Sequence, residues 1–239
     1  MRALSHAECL ALWEAGRGLH PLDRGLLAIQ VASTTFGPDG DASAADWPLG
    51  RRNHALAELR RASFGPSLEG WTACRACGEK LEFKVDANAL LASVAPAQDA
   101  RVRGPGGTFR LPTSRDLAHV AGERDSAVAA LRLVQRCAVA NDVDAASGWT
   151  EEDVDAIGEQ MALADPLAEI LLHFDCPTCQ ASFDQSLDLS AFLWSEIEGR
   201  AKRLLRDVHA LASAYGWSEV DILGLTPARR DFYLEMVRA

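Results

Sequence analysis

The pattern of apolar and polar positions divides most of the chain into helices. "HAECLALWEAG" places Leu10, Leu12 and Trp13 at helical spacing, with Gly16 and Gly18 marking its end. "PLDRGLLAIQVAS" and "RRNHALAELRRASFG" read as two further helices, parted by the polar loop "FGPDGDASAADWPLG". "TSRDLAHVAG" and "DSAVAALRLVQRCAVAN" are helical, and "WTEEDVDAIGEQMALAD" opens on Thr150 as N-cap with Asp153 at the boxed position. Strand signals lie around Cys74–Cys77, which predict a β-hairpin, and in "EILLHFDC". "APAQDARVRGPGGTFRLP" reads as a flexible connection ending in a short strand. Its "RGPGGTF" lacks the Gly-Lys-Ser/Thr ending of a phosphate loop and reads as an irregular turn.

The last fifty or so residues open with "LSAFLWSEIEGRAKRLLRDVHALASAYGW". The spacing predicts a long amphipathic helix with Phe192, Ile197, Leu204, Leu205, Val208 and Leu211 toward one side. Ser218 caps "EVDILGL" with Asp221 boxed, and Thr226 caps "PARRDFYLEMV" with Pro227 in the first turn. Trp194, Tyr215, Trp217, Phe232 and Tyr233 read as core, or in part as an anchor for a partner groove.

Composition adds limits. Of 239 residues, 48% are hydrophobic and 24% charged, as in ordinary soluble globular proteins. Apolar runs such as "EILLHF" are too short to span a bilayer, and "MRALSHAECLALWEAG" lacks the pattern of a secretory signal, so a cytoplasmic location is expected. A net charge of −10 argues against general affinity for polyanions. The charge is uneven: residues 137–199 hold 14 Asp or Glu and no Lys or Arg, while residues 51–115 hold 11 basic against 6 acidic residues. Two readings stay open. These regions form ordinary solvated or mutually facing surfaces, or the acidic one docks a basic partner.

The cysteines change the picture most. Four of the six form two Cys-x-x-Cys pairs, Cys74/Cys77 and Cys176/Cys179. The similarity extends beyond the thiols. Counting from the second Cys, position +4 is Leu81 or Phe183, +8 is Val85 or Leu187, and +9 is Asp86 or Asp188. Positions +13 and +14 are Leu90-Leu91 or Phe192-Leu193. This is an internal repeat of thiol-bearing turn, short strand, Asp and apolar helix start, each unit looking like half of a zinc ribbon. Structural zinc takes four N or S ligands in a tetrahedron, so one turn is insufficient and two together are enough. Gly78 relaxes the first turn, and Pro177 stiffens the second.

The reading is therefore one structural Zn²⁺ per chain on Cys74, Cys77, Cys176 and Cys179. Iron in the same cage, a redox pair, and a site that has lost its metal remain as alternatives. Cys9 and Cys137 sit on apolar helical faces as small hydrophobes, and His173 reads as a core or edge histidine. No nucleophile elbow, HExxH helix or distinctive carboxylate dyad is present, so no catalytic residue is assigned.

The tail "LLRDVHALASAYGWSEVDILGLTPARRDFYLEMV" resembles the C-terminal segment of proteins encoded with contractile phage tails and related injection systems. It shares with them a helix running into "YGWSE", then "IL-x-L", then an Arg-Arg-x-x-Tyr-Leu helix; the cysteine knuckles are consistent with longer members. The resemblance implies a non-enzymatic baseplate or assembly protein with protein partners of a baseplate or tail. It brings in no membrane or small-molecule substrate, and it allows incorporation into a phage-tail-like particle. The alternative is a zinc-ribbon nucleic-acid-associated regulator, since the three-helix tail with Arg229, Arg230 and Tyr233 is similar at low resolution to a helix-turn-helix. Against it, residues 192–239 carry 7 basic and 7 acidic residues, leaving no net charge for phosphates.

The expected fold is thus α+β and predominantly helical. It comprises an N-terminal helical region (1–70), a split zinc ribbon of two antiparallel β-hairpins with a helical insertion (71–191), and a three-helix C-terminal segment (192–239).

Overall fold

Helix α1 (His6–Gly16) starts at a capping box: the Ser5 hydroxyl accepts from the Glu8 amide, and the Glu8 carboxylate accepts from the Ser5 amide at 2.9 Å. Gly16 serves packing as well as termination, because a Cβ there would overlap the ring of Trp194. The computed structural model describes residues 1–33, 43–93, 100–139 and 148–238. Part of the polar loop after the second helix, the start of the connection at "APAQD" and the end of the "CAVAN" segment lie outside the described residues.

In chain order, α1 is followed by α2 (Pro21–Ala32), a short 3₁₀ turn (Ala44–Asp46), α3 (Leu49–Phe64), β1 (Ser67–Ala73), β2 (Lys80–Asp86) and α4 (Ala87–Ser93). Then come β3 (Arg101–Gly104), β4 (Gly107–Arg110), α5 (Ser114–Val120), α6 (Ser126–Cys137) and α7 (Glu151–Ala164). The chain ends with β5 (Leu171–Asp175), β6 (Ser182–Ser186), α8 (Leu189–Tyr215), α9 (Glu219–Leu223) and α10 (Pro227–Arg238). The strands form three antiparallel two-stranded sheets, β1–β2, β3–β4 and β5–β6. The fold is mostly helical with small antiparallel sheets, as an α+β chain.

The main core lies where α1, α2 and α3 pack on α8, around Leu12, Ile29, Leu56, Leu59, Leu193 and Ile197. Each such side chain contributes about 1.5–3 kcal/mol by leaving water. Leu68 of β1 and Ile170 just before β5 enter the same core, which seats both cysteine hairpins on the bundle.

A second core gathers β3, β4, α6 and α7 around Phe109 and Ile157, with Trp149 set 5.6 Å from the Phe109 ring. Here the structure corrects the reading of "RGPGGTF" as an irregular turn. Gly104 pairs with Gly107 across Pro105-Gly106, closing a regular hairpin, and Gly106 takes φ +77°. Pro followed by a left-handed Gly is the chemistry of a type II turn. Asp116, buried at the start of α5, ties this lobe together by accepting from Arg110 at 2.6 Å and Arg136 at 3.0 Å.

The lobe is fastened to the bundle at the start of α3. Pro48, the N-cap, has no side chain to offer the first amides. Asp165, at the end of α7, accepts from the Gly50 amide at 2.8 Å, and Asn53 donates to the carbonyls of Leu167 and Ala168. Gly50 makes room, since a Cβ there would collide with the Asp165 carboxylate. Burial pushes the Asp165 carboxyl up against the pull of that amide.

Gly216, at φ +70°, ends α8, and α9 and α10 fold back on its last turns around Leu211, Ile222 and Leu234. Trp194 is buried, and Tyr215, Trp217 and Tyr233 pack ring on ring at 4.7–5.8 Å. Phe232, 61% exposed, and Tyr215, 39% exposed, stand apart from the expected core. The first half of α8 belongs to the main core and its last turns to the tail core.

Candidate metal centre

Each Cys-x-x-Cys sits on the tip of a hairpin, and the two tips are built alike. In the first, the Cys74 amide donates to the Glu79 carbonyl at 2.8 Å and the Gly78 amide to the Cys74 carbonyl at 2.9 Å. In the second, Cys176 donates to Ala181 at 3.0 Å and Gln180 to Cys176 at 2.9 Å. The residue after the second cysteine takes a left-handed conformation in both, Gly78 at φ +78° and Gln180 at φ +62°. Pro177, read as the stiffening residue, sits three positions earlier, so the turn's special conformation falls on a glutamine.

The repeat continues past the thiols. Asp86 accepts from the Asn88 amide at 2.9 Å as α4 begins, and Asp188 accepts from Ser190 at 2.9 Å and Ala191 at 3.0 Å as α8 begins. The aspartate at position +9 is the helix cap in each unit.

The hairpins meet through their tips. Cys74 Sγ lies 3.6 Å from Cys179 Sγ, and Cys77 Sγ 3.6 Å from Cys176 Sγ. Each close pair joins the first cysteine of one unit to the second of the other, as local twofold symmetry requires. All four sulfurs lie within 4.8 Å of one another. A disulfide would need a separation of about 2.05 Å. An ion with metal–sulfur bonds of about 2.3 Å places tetrahedral ligands about 3.8 Å apart, which fits these separations. The four cysteines form a site that can hold a metal ion.

The surroundings support the tips from both sides. Cys74 and Cys176 are buried, Cys77 and Cys179 exposed. Phe174 lies between Phe183, stacked at 5.5 Å, and Phe83, edge-on at 6.0 Å, joining the hairpins under the sulfurs. Thr178 donates to Glu79 across the tips at 3.2 Å, and Arg75 reaches the Asp184 carbonyl at 3.3 Å.

The thiols compete for ionisation. The backbone amides of Cys77 and Ala76 hold Cys74 down to about 6. The Glu79 amide pulls Cys77 the same way, but the neighbouring thiols and burial win and push it up to about 12. Cys179 is raised as well: the Ala181 amide and Cys77 pull it down, and burial with Cys74 and Cys176 outweighs them. Four thiolates at this spacing repel one another, and a bound cation removes that repulsion.

The other sequence candidates lie elsewhere. Cys9 and Cys137 are buried in the main and second cores. His173 is exposed on β5 and pairs across the hairpin with Asp184 at 2.8 Å, as an edge histidine. Among the described residues no helix is long and apolar enough to cross a membrane. Comparisons with protein-family models, curated proteins and solved structures return no match.

Proposed function

We propose that the chain is a zinc-stabilised, non-catalytic structural or assembly protein of a contractile phage-tail-like baseplate, acting through protein contacts. The observation that carries the structural half is the repeated hairpin unit, whose tips bring Cys74, Cys77, Cys176 and Cys179 together across about a hundred residues of chain. Zinc suits an all-thiolate tetrahedral donor set. Its four ligands would fill the coordination sphere, so the ion would supply stability and leave no position for substrate. Closing so long an insertion costs only slowly more with length, and a structural zinc contributes on the order of 10 kcal/mol. The two hairpins form a split zinc ribbon that clamps the insertion to the helical bundle.

The baseplate setting rests on the "YGWSE…IL-x-L…RR-x-x-YL" tail and its likeness to tail-associated proteins. Two measurements test the proposal. Elemental mass spectrometry of purified protein is expected to give one zinc per chain, absent in Cys176→Ser together with cooperative thermal unfolding. Coexpression with baseplate components of a contractile tail is expected to give a co-eluting complex. Metal-free wild type would sink the clamp, and a chain that never associates with those components would sink the baseplate setting.

A further inference from the structure

A second feature lies away from the cysteines, in a groove of about 850 Å³ between α8 and α10. Arg200, Arg203 and Arg206 line it from α8, and Arg230 and Arg238 from α10. Asp207, Asp231 and Glu235 share the groove, so five guanidiniums face three carboxylates in a chain of net charge −10. Arg200 is already engaged, donating to the Ser63 carbonyl at 2.8 Å and lying over the Phe64 ring. Arg203, Arg206 and Arg238 are exposed and have no hydrogen bond or ion pair among the described residues.

Arg230 supplies the independent sign of a ligand. Its side chain is 6% exposed, and its Nη1 donates to His6 Nδ1 at 3.0 Å. Its Nε stands 3.5 Å from Asp207 and has no hydrogen-bond partner among the described residues. The Asp207 carboxylate ion-pairs with this buried guanidinium, yet the Nε–H still lacks an aligned acceptor, which costs stability unless something else supplies one. His6 brings no negative charge to the pair: it accepts through a ring nitrogen, and burial, then Arg230, lowers its pKa.

We propose that this groove docks an acidic peptide segment of a partner protein, its carboxylates pairing with Arg203, Arg206 and Arg238 and one acceptor reaching Arg230. The proposal rests on the reading of the chain as a scaffold that works by protein contacts, and it names the chemistry of one partner. Charge complementarity selects the occupant. Arginine forks match carboxylates in pairs. The resident Asp207, Asp231 and Glu235 oppose any anion, and they oppose a doubly charged phosphate more than a single carboxylate. From Pro227 to Arg238 the α10 wall runs about 16 Å at 1.5 Å per residue, room for about five residues of extended chain.

The test uses the full, metal-loaded chain and a fluorescein-labelled peptide of alternating Glu and Ala, with its Gln counterpart as control. Fluorescence anisotropy is expected to show salt-sensitive binding of the Glu peptide and none of the Gln peptide. The Arg203→Glu/Arg206→Glu double variant, both sites being on the surface of α8, is expected to weaken binding at least about tenfold with an unchanged melting temperature. The same reversal at Arg132, outside the groove, leaves binding as it is. Equal binding of both peptides, no binding of either, or indifference to the double reversal overturns the proposal. Displacement of the peptide by pyrophosphate or duplex DNA at equal or lower concentration also overturns it, in favour of a phosphate site. Failure with the metal still bound leaves the scaffold reading standing, whereas metal-free wild type would sink that reading and leave the groove untouched.

Discussion

In the first cysteine unit β2 runs into the seven-residue α4, and in the second β6 runs into the 27-residue α8. Up to the capping aspartate the two are nearly superimposable in their hydrogen bonds: the same amide-to-carbonyl closure at the tip, the same left-handed residue, the same Asp accepting the first free amides. Beyond the cap they diverge. Leu90 and Leu91 are only partly buried, while Leu193, Trp194, Ile197, Ala201 and Leu204 on α8 enter the main core. A helix shorter than about a dozen residues is marginal without packing; the same start signal opens the seven described residues of α4 in one unit and the backbone of the bundle in the other. Local sequence sets where a helix begins. Tertiary burial sets how far it runs.

The sharpest way to break the equivalence is at the sulfurs. Cys74→Ser and Cys176→Ser are expected to behave alike, each losing the ion and on the order of 10 kcal/mol, enough to abolish cooperative unfolding in a scan read alongside metal content. Retention of metal by one variant alone would show that the units are not equal ligand donors. Next come the residues that anchor each hairpin. Leu68→Ala, at a fully buried position, is expected to cost about 3 kcal/mol by urea denaturation, and Ile170→Ala, at the equivalent position with 9% exposure, about 2 kcal/mol.

The caps should separate the units further. Asp188 accepts two amides and starts a helix with a buried face, so Asp188→Ala is expected to cost about 1–2 kcal/mol. Asp86 accepts one amide at the surface, and Asp86→Ala should cost about 0.5 kcal/mol by the same measurement. Equal costs would mean that α8 owes nothing to its starting signal. Smaller still is the left-handed position. Gln180→Gly is expected to stabilise by about 0.5 kcal/mol, the relief of the Cβ outweighing the added freedom of the unfolded chain. A loss of stability would show that the Gln180 side chain, which donates to the Pro177 carbonyl at 3.1 Å, matters more than its backbone.

Much of the site was legible because its determinants are local. Cysteine spacing and the aspartate nine residues on lie within one turn and one strand, and each does the same work twice. Helix starts at Thr150, Ser218 and Thr226 were readable for the same reason, the cap and its first turn being adjacent in sequence. What escaped is contributed from a distance. Asp165 caps α3 from 115 residues away, and nothing near Pro48 announces it. The left-handed backbone at Gln180 follows from the closure of the tip, where a glycine would have been the readable sign. The arginine groove escaped because the tail's 7 basic and 7 acidic residues cancel in a count, and only the packing of α10 on α8 brings five of the basic residues together against three of the acidic ones.

A further difference between the units is a cross-strand pair. Trp71 opposes Glu82 in the first hairpin, and His173 opposes Asp184 at the equivalent place in the second. The hydrogen bond to Asp184 raises the His173 imidazole above its ordinary value, with the Asp175 carboxylate adding to the effect. A group whose folded-state value is raised contributes stability that is fully present below its unfolded value, near 6.5, and that is lost as pH rises through the folded one. In metal-loaded protein the second hairpin is therefore expected to loosen slightly as pH rises above about 6.5, while the first, with no histidine and its thiolates held by the ion, does not respond. The pair is exposed, so the effect is the smallest of the series. Two-dimensional NMR of His173→Gln beside wild type reads it directly: chemical shifts around Phe174 and Phe183 should titrate in wild type and stay flat in the variant. Titration of the Trp71 hairpin in step with the His173 one would instead mean that the two tips move as a single body, coupled through the sulfurs they share.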